Sequence, residues 1–230
     1  MDYNKLISPI DKQIEGSCEP LPKNIHAIWL LVGSRGRGKS TLLLNSIYKP
    51  EFYKGYFDNI FLVSPTAMND DKFKPLMDEL TKEQKYYSSA SENNIMEIME
   101  SLKMYNKNFN VKKNKRQPRS LIIFDDCLHE LPKSTQKSCI HKLITTNRHL
   151  KCSIFITTQM FKKLNPLIRS NVDMISFFQS ANENEKKNFC EEYGVDMNEL
   201  DEICVNNNDF IHLTWCSGRR KMFNRFQELD

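Results

Sequence analysis

Short apolar runs alternate with amphipathic or polar segments along most of this 230-residue chain. Five of the runs have the length and the β-branched and aromatic content of buried strands. They predict strands at 26–32, 59–64, 120–124, 153–158 and 172–178. Because parallel strands require a crossover connection, strands that alternate with helical segments predict a mostly parallel sheet with right-handed connections.

Apolar residues spaced three and four apart mark helices around these strands. We expect helices at 39–48, 132–146, 182–193 and 196–205. A polar, helix-like region at 69–105 has one apolar face, formed by Ile95, Ile98, Met99 and Leu102. The chain closes with a predicted hairpin, whose strands are 209–216 and 221–226. Helices on both faces of a sheet define a three-layer α/β sandwich.

The ends of the chain differ in pattern from its centre. Residues 1–25 contain three prolines and no sustained periodicity, which indicates an N-terminal arm. Residues 26–230 contain no linker-like change of composition, so we expect a single domain there. The longest apolar run, 27–33, is too short to span a bilayer, and the N-terminus lacks the pattern of a signal peptide. We therefore expect no membrane segment and a protein that stays inside a cell.

The composition permits a nucleic-acid partner without requiring one. Net charge is +4, and the seven cysteines include no C-x-x-C pair, which argues against a disulfide framework and a zinc site. Six basic residues lie between 107 and 119 with no acidic residue among them: Lys107, Lys112, Lys113, Lys115, Arg116 and Arg119. This basic segment has the composition of a loop that follows a DNA backbone, and equally that of a solvated, partly disordered loop.

The residues between the first predicted strand and the first predicted helix match the phosphate-binding motif G-x-x-x-x-G-K-[ST]. They are Gly33-Ser34-Arg35-Gly36-Arg37-Gly38-Lys39-Ser40, followed by Thr41. Glycines are needed because backbone N–H groups must turn towards phosphate oxygens at close range. We expect this phosphate loop to bind ATP, with Lys39 reaching the β- and γ-phosphates and the Ser40 hydroxyl binding Mg²⁺.

Two acidic residues, Asp125 and Asp126, end the third apolar run. A carboxylate at the end of a buried strand can hold Mg²⁺ beside Ser40, and we assign that role to Asp125. We expect Asp126 to act as the general base towards the attacking water. The alternative is that the two acids only cap the following helix.

Polar residues at other predicted strand ends complete the candidate site. One further strand is predicted between the phosphate-loop strand and the acidic strand, and Gln159 ends the strand that follows. This layout is typical of ATPases that insert a strand between the two motifs and sense the γ-phosphate with a polar side chain. Gln159 is the predicted sensor, with Thr157 and Thr158 as lesser candidates. An ordinary edge residue is an equally good interpretation of Gln159.

Two arginines are candidates for contact with the nucleotide of a neighbouring subunit. Arg148 lies between a predicted helix and the fourth strand, and Arg169 precedes the fifth strand. A guanidinium group in either place can neutralise charge that develops on the transferred phosphate. For both arginines the alternative is a surface salt bridge.

As a set, these motifs resemble the poxvirus-type genome-packaging ATPases of large DNA viruses and virophages, within the FtsK/HerA superfamily. The resemblance spans roughly residues 26–180. Besides the phosphate loop and Phe124-Asp125-Asp126, it rests on the following pieces: Leu62-Val63-Ser64-Pro65-Thr66, Arg148-His149, Thr158-Gln159 and Ile168-Arg169-Ser170-Asn171.

The resemblance implies a RecA-like P-loop ATPase core that assembles as a homo-oligomeric ring, either a hexamer or a pentamer. It implies hydrolysis of ATP with Mg²⁺ to push double-stranded DNA into a preformed capsid, so capsid proteins are implied partners. The implied location is the host cytoplasm or viral factory, and secondarily the virion. Two features depart from the family pattern: the superfamily more often has Glu where Asp126 stands, and Arg35 and Arg37 stand where small residues are common.

Two other functions fit parts of the sequence. A P-loop kinase for a small acceptor normally has an arginine-rich lid, whereas the region after the fourth strand contains only Arg169. A non-hydrolysing assembly protein that binds nucleic acid needs the fold without turnover, and the complete set of Lys39, Ser40, Asp125 and Asp126 argues against it.

Overall fold

A computed structural model of the chain describes residues 20–23, 26–128, 138–215 and 220–229. Within these ranges nine strands form one sheet: β1 (Ile28–Val32), β2 (Asn59–Val63), β3 (Tyr86–Tyr87), β4 (Ser120–Asp125), β5 (Cys152–Thr158), β6 (Met174–Phe178), β7 (Phe210–Thr214), β8 (Lys221–Asn224) and β9 (Gln227–Glu228). Their order across the sheet is β3-β2-β4-β5-β1-β6-β7-β8-β9. Every pair from β3 to β6 is parallel, and the pairs from β6 to β9 are antiparallel.

The same ranges contain eight α-helices: α1 (Lys39–Tyr48), α2 (Lys74–Lys82), α3 (Glu92–Asn108), α4 (Val111–Asn114), α5 (Cys139–Thr146), α6 (Pro166–Ser170), α7 (Glu183–Tyr193) and α8 (Met197–Ile203). Short 3₁₀ turns lie at Ala67–Asn69, Asp71–Phe73 and Phe161–Lys163. None of the helices in the described part of the chain is both long and apolar enough to cross a membrane.

The sheet separates two apolar layers, as the predicted three-layer α/β fold requires. Alternate residues of β1 enter opposite layers, because successive side chains of a strand point to opposite faces. Ile28, Leu30 and Val32 pack with the predicted apolar face of α3, and with residues of α5, α7 and α8. Trp29 and Leu31 pack with residues of α1 and α2 on the other face.

Strand β5 lies between β1 and β4, which confirms that a strand is inserted between the two motif-bearing strands. The inserted strand is the one that Gln159 follows, and not β2, which lies between the motifs in the sequence. Register places Thr158 beside Val32 and Thr157 beside Asp125. The ends of three parallel strands therefore bring the phosphate loop, the acidic pair and Gln159 to the same edge of the sheet.

The structure adds elements that the pattern did not predict and leaves some predictions outside its range. Strand β3 and helix α6 are too short to produce a periodic signal. The predicted hairpin is confirmed by the antiparallel pairing of β7 with β8. Most of the predicted arm (1–19, 24 and 25), the first part of the predicted helix at 132–146, and the turn at 216–219 lie outside the described residues.

Candidate nucleotide-binding site

The phosphate loop joins β1 to α1, and its glycines occupy positions that other residues would not fit. Gly36 and Gly38 have φ angles of 80° and 96°, in the left-handed region that favours glycine. A Cβ atom on Gly33 would lie 2.7 Å from the Cβ of Phe178 in β6. Gly38 caps α1 with no side-chain hydrogen bond, so backbone N–H groups of the first helical turn remain available to an anion.

Lys39 is folded back onto the loop that it follows. Its Nζ donates to the carbonyl oxygen of Gly33 at 2.5 Å and to that of Ser34 at 3.1 Å, and the residue is 8% exposed. Burial lowers the pKa of the Lys39 ammonium group, while the nearby carboxylates of Asp126 and Asp125 oppose that shift. A polyphosphate would favour the charged form of Lys39, so this side chain is placed to bind one.

Asp125 is held by two hydroxyl groups at the end of β4. Thr157 Oγ1 donates to Oδ1 at 2.8 Å, and Ser64 Oγ donates to Oδ2 at 3.1 Å. Burial raises the pKa of this carboxyl group, which is 5% exposed, and the two hydroxyl donors only partly oppose the shift. A buried carboxylate with neutral donors is stabilised by a nearby cation, so Asp125 and the Ser40 hydroxyl in the same cleft fit a Mg²⁺ ion.

Asp126 turns sharply away from the direction of β4. Its φ angle is 49°, and its backbone N–H donates to both the carbonyl oxygen and Oγ1 of Thr157, each at 3.1 Å. Gln159 Nε2 donates to Oδ2 of Asp126. The predicted base and the predicted sensor are therefore in direct contact. Of the lesser sensor candidates, Thr157 lines the cleft and its hydroxyl donates to Asp125. The Thr158 hydroxyl accepts a bond from the N–H of Met160 within the following turn at 3.3 Å.

A single cleft of about 800 Å³ collects most of the predicted site residues. Its lining includes Arg35, Gly36, Arg37, Gly38, Lys39, Ser40, Thr41, Asp125, Asp126, Thr157 and Gln159. Gly33 and Ser34 line a smaller adjoining cavity, which also contacts Gln159. The volume of the larger cleft is within the range of small-molecule binding sites.

Sequence reasoning missed one wall of this cleft. Thr66 and the residues from Asn69 to Lys72 also line it. They follow β2, whose carboxyl end lies at the same edge of the sheet as those of β1 and β4. The rule that ligands bind at the carboxyl ends of parallel strands is the signal that points to this segment.

The two unexpected arginines of the phosphate loop have different surroundings. Arg37 Nη1 donates to the side-chain oxygen of Asn207, in the turn between α8 and β7. This contact fixes the phosphate loop against a neighbouring turn, which gives Arg37 a structural role. Arg35 is exposed and lines the cleft.

Neither candidate for an arginine finger, that is, an arginine that contacts the nucleotide of a neighbouring subunit, lies in the cleft of its own chain. Arg148 precedes β5, at the amino edge of the sheet, and its Nη2 lies 2.8 Å from Asp173 Oδ1. The seven residues of β5 separate it from Gln159 by about 20 Å. Arg169 lies 3.0 Å from Glu192, with its guanidinium over the ring of Phe161. Within one chain both arginines form salt bridges, so the finger role of Arg148 stays a prediction that requires a second subunit.

This arrangement defines a P-loop NTPase fold of the additional-strand type. In that fold one strand of a parallel sheet lies between the strand that leads into the phosphate loop and the strand that ends in acidic residues. The family model described as "Poxvirus A32 protein" matches residues 21–209. The chain belongs to the poxvirus A32 protein family, and the family resemblance seen in the sequence is confirmed.

Solved structures show the same fold. One is the genome packaging NTPase B204 from Sulfolobus turreted icosahedral virus 2 in complex with AMP, with a TM-score of 0.62 and 18% identity over 89% of this chain and 97% of that one. Its complex with ATP-gammaS has a TM-score of 0.62 and 17% identity over 86% and 96% of the two chains.

A curated relative is similar to this chain over part of its own length. The mouse "NACHT, LRR and PYD domains-containing protein 10" is 25% identical over 247 residues, which cover 100% of this chain and 33% of the relative. This chain therefore spans about a third of the length of that relative.

Proposed function

We propose that this protein is a Mg²⁺-dependent ATPase that moves double-stranded DNA into a viral capsid. The observation that carries the proposal is the meeting of Lys39, Ser40, Asp125, Asp126 and Gln159 in one cleft. Family membership, and a fold shared with a protein described as a genome packaging NTPase, support the choice of DNA and capsid proteins as partners.

Phosphate binding in this proposal uses groups on both sides of the loop. Lys39 Nζ moves from the carbonyl oxygens of Gly33 and Ser34 to the β- and γ-phosphates of ATP, and first-turn N–H groups of α1 bind the same oxygens. Asp125 and Ser40 hold Mg²⁺, which when bound neutralises charge on the β- and γ-phosphates. Ser64 and Thr157 orient the Asp125 carboxylate for this role.

Hydrolysis in this proposal depends on the contact between Asp126 and Gln159. Asp126 accepts the proton of the attacking water, and Gln159 holds the carboxylate and senses the γ-phosphate. Aspartate is one methylene shorter than the glutamate more often found in the superfamily. The left-handed backbone of Asp126, with φ 49°, supports its reach because it turns the residue out of the strand direction.

The assembly that we propose is a homo-oligomeric ring, a hexamer or a pentamer, acting in the cytoplasm or viral factory of an infected cell and secondarily in the virion. Arg148 would then contact the nucleotide of the adjacent subunit. Its position at the amino edge, more than half exposed, supports contact with another molecule and not with its own cleft.

The roles of Lys39 and Asp126 are tested by separating binding from turnover. We expect Lys39→Ala to lose binding of a fluorescent ATP analogue and to lose phosphate release. We expect Asp126→Asn to bind the analogue without releasing phosphate, because asparagine tolerates the left-handed backbone but accepts no proton. Near-normal phosphate release by either variant would contradict the assignment.

A further inference from the structure

Two loops form a basic surface at the amino edge of the sheet, opposite the nucleotide cleft. The basic segment leads into β4, and the turn 148–151 leads into β5. These strands are neighbours, with Ser120 paired with Cys152, and the N–H of Ser120 donates to the carbonyl oxygen of Lys151 at 3.1 Å. We call the lysines of the two loops the basic edge: Lys107, Lys112, Lys113, Lys115 and Lys151.

The basic segment has a defined conformation, in contrast to the disordered loop that its composition allows. It contains the one-turn helix α4, which begins where Asn110 Oδ1 accepts a bond from the N–H of Lys113 at 2.9 Å. The ring of Phe109 lies 5.8 Å from that of Tyr105 and 5.6 Å from the guanidinium carbon of Arg116. These contacts attach the segment to the end of α3.

The arginines of the two loops contact the body of the protein. Arg116 forms a two-bond salt bridge with Asp58, at 2.7 Å and 2.5 Å. Arg119 lies over the ring of Tyr56 at 4.2 Å, and Arg148 is paired with Asp173. The acidic groups that these arginines contact, Asp58 and Asp173, are therefore already paired.

The lysines of the basic edge differ from these arginines in their contacts and exposure. Among the described residues none of the five forms an ion pair, and four of them are exposed while Lys151 is half-buried. The charge of Lys151 also reaches the start of β1, because the pKa of His26 is lowered to about 4 by burial and, to a smaller extent, by the positive charges of Lys151, Arg119 and Arg148. Positive charge therefore converges where three adjacent strands begin, and none of the five lysines forms an ion pair with an acidic side chain of the described residues.

We propose that the basic edge binds the phosphate backbone of duplex DNA, at the opposite end of the strands from the nucleotide cleft. Lysine ammonium groups bind phosphates as point charges and do not select a base sequence, which suits a protein that handles a whole genome. The proposal rests on the proposed function, and it places the DNA about 20 Å from the cleft, across β4 and β5.

The test compares two triple variants that lose the same charge. Lys112→Ala/Lys113→Ala/Lys115→Ala changes the basic edge, and Lys162→Ala/Lys163→Ala/Lys187→Ala changes exposed lysines at the other edge and on α7. Binding of a fluorescent mixed-sequence duplex is measured at several salt concentrations. We expect the first variant to bind more weakly, and we expect its plot of log affinity against log salt concentration to be less steep by about 2.7. The control variant should match the wild type.

Two further variants separate charge from structure. Lys112→Arg/Lys113→Arg/Lys115→Arg keeps the charges, so we expect it to retain wild-type affinity and slope. Lys151→Ala should by itself make the same plot less steep by about 0.9, because it removes one phosphate contact from the second loop.

The outcomes distinguish this proposal from the proposed function. If the wild type binds duplex and hydrolyses ATP while the basic-edge variant keeps its affinity and slope, the DNA surface is elsewhere and the function stands. An equal loss in the control variant also overturns the proposal. If the wild type neither binds duplex nor hydrolyses ATP, the proposed function fails and the basic-edge proposal fails with it.

Discussion

At the scale of single residues, the environment of Asp125 determines how well its carboxylate can hold a cation. Two hydroxyl groups fix both oxygens, and one of them belongs to Ser64, which lies 61 residues earlier in the chain. The sequence marked Ser64 only as part of a family motif. Its role depends on β2 and β4 being neighbours, which no local pattern around Ser64 indicates.

We predict that Ser64→Ala weakens the response of the proposed ATPase activity to Mg²⁺. The variant loses the donor to Asp125 Oδ2, and loss of a hydrogen bond to a metal ligand commonly costs about tenfold or more in metal affinity. The Mg²⁺ concentration that gives half-maximal phosphate release measures the effect, and it should rise.

Ser120→Ala is the matched control for this prediction. Ser120 is a buried serine at the other end of β4, and its hydroxyl has no hydrogen-bond partner among the described residues. Its replacement should leave the Mg²⁺ dependence unchanged. An unchanged dependence in Ser64→Ala as well would show that Ser64 does not position Asp125.

At the scale of elements, β7 and β6 hold the segment at residues 20–23 against the sheet through a buried histidine. His212 Nδ1 lies 2.8 Å from Ser176 Oγ, which accepts a bond from Trp29 Nε1 at 3.0 Å. The Ser176 proton is therefore directed to Nδ1, and Nε2–H donates to the carbonyl oxygen of Pro20 at 2.6 Å. This network requires neutral His212, and burial lowers its pKa to about 4.

We predict that the free energy of unfolding falls as pH decreases from about 6.5 towards 4. In this window the unfolded chain binds a proton at His212 and the folded chain does not, so acid favours unfolding. A shift of the pKa from 6.5 to about 4 corresponds to a loss of about 3 kcal/mol.

Urea unfolding of the wild type and of His212→Gln across this pH range measures the His212 contribution, because the other titrating groups are common to both proteins. The wild type should lose more stability than the variant between pH 6.5 and 4. Parallel pH profiles for the two proteins would mean that His212 is not held neutral.

Elements with their own periodicity were predictable, whereas elements defined by a neighbour were not. The pattern predicts α1 with its observed bounds, and it predicts the buried face of α3. It misses β3, because the two residues Tyr86–Tyr87 become a strand only by pairing with Leu62 and Val63. The cleft wall after β2 was missed for the same reason, since only the sheet order brings this segment to the edge where the phosphate loop lies.

At the scale of the whole molecule, the chain presents different chemistry at the two edges of its sheet. The carboxyl edge holds the candidate nucleotide cleft, and the amino edge holds Arg148 and the basic edge. In a ring, Arg148 meets a nucleotide only if the amino edge of one subunit faces the cleft of the next. Sequence spacing could suggest Arg148 as a finger, but its distance from its own cleft follows only from the strand order and direction.

We predict that inactive Arg148→Ala and Asp126→Asn subunits recover phosphate release when they are mixed. At some interfaces the intact arginine of one variant would then face the intact cleft of the other. A mixture of Lys39→Ala with Asp126→Asn is the control and should stay inactive, because both residues line the same cleft of one chain. If the first mixture stays inactive while Arg169→Ala recovers with Asp126→Asn, the finger is Arg169.

Displacement of a triplex-forming oligonucleotide from a duplex tests ATP-driven movement along DNA most directly. With ATP and Mg²⁺ the wild type should release the third strand, and Asp126→Asn should bind both nucleotide and duplex but leave the third strand in place. Phosphate release by the wild type in the presence of the duplex, without any displacement of the third strand, would contradict the account.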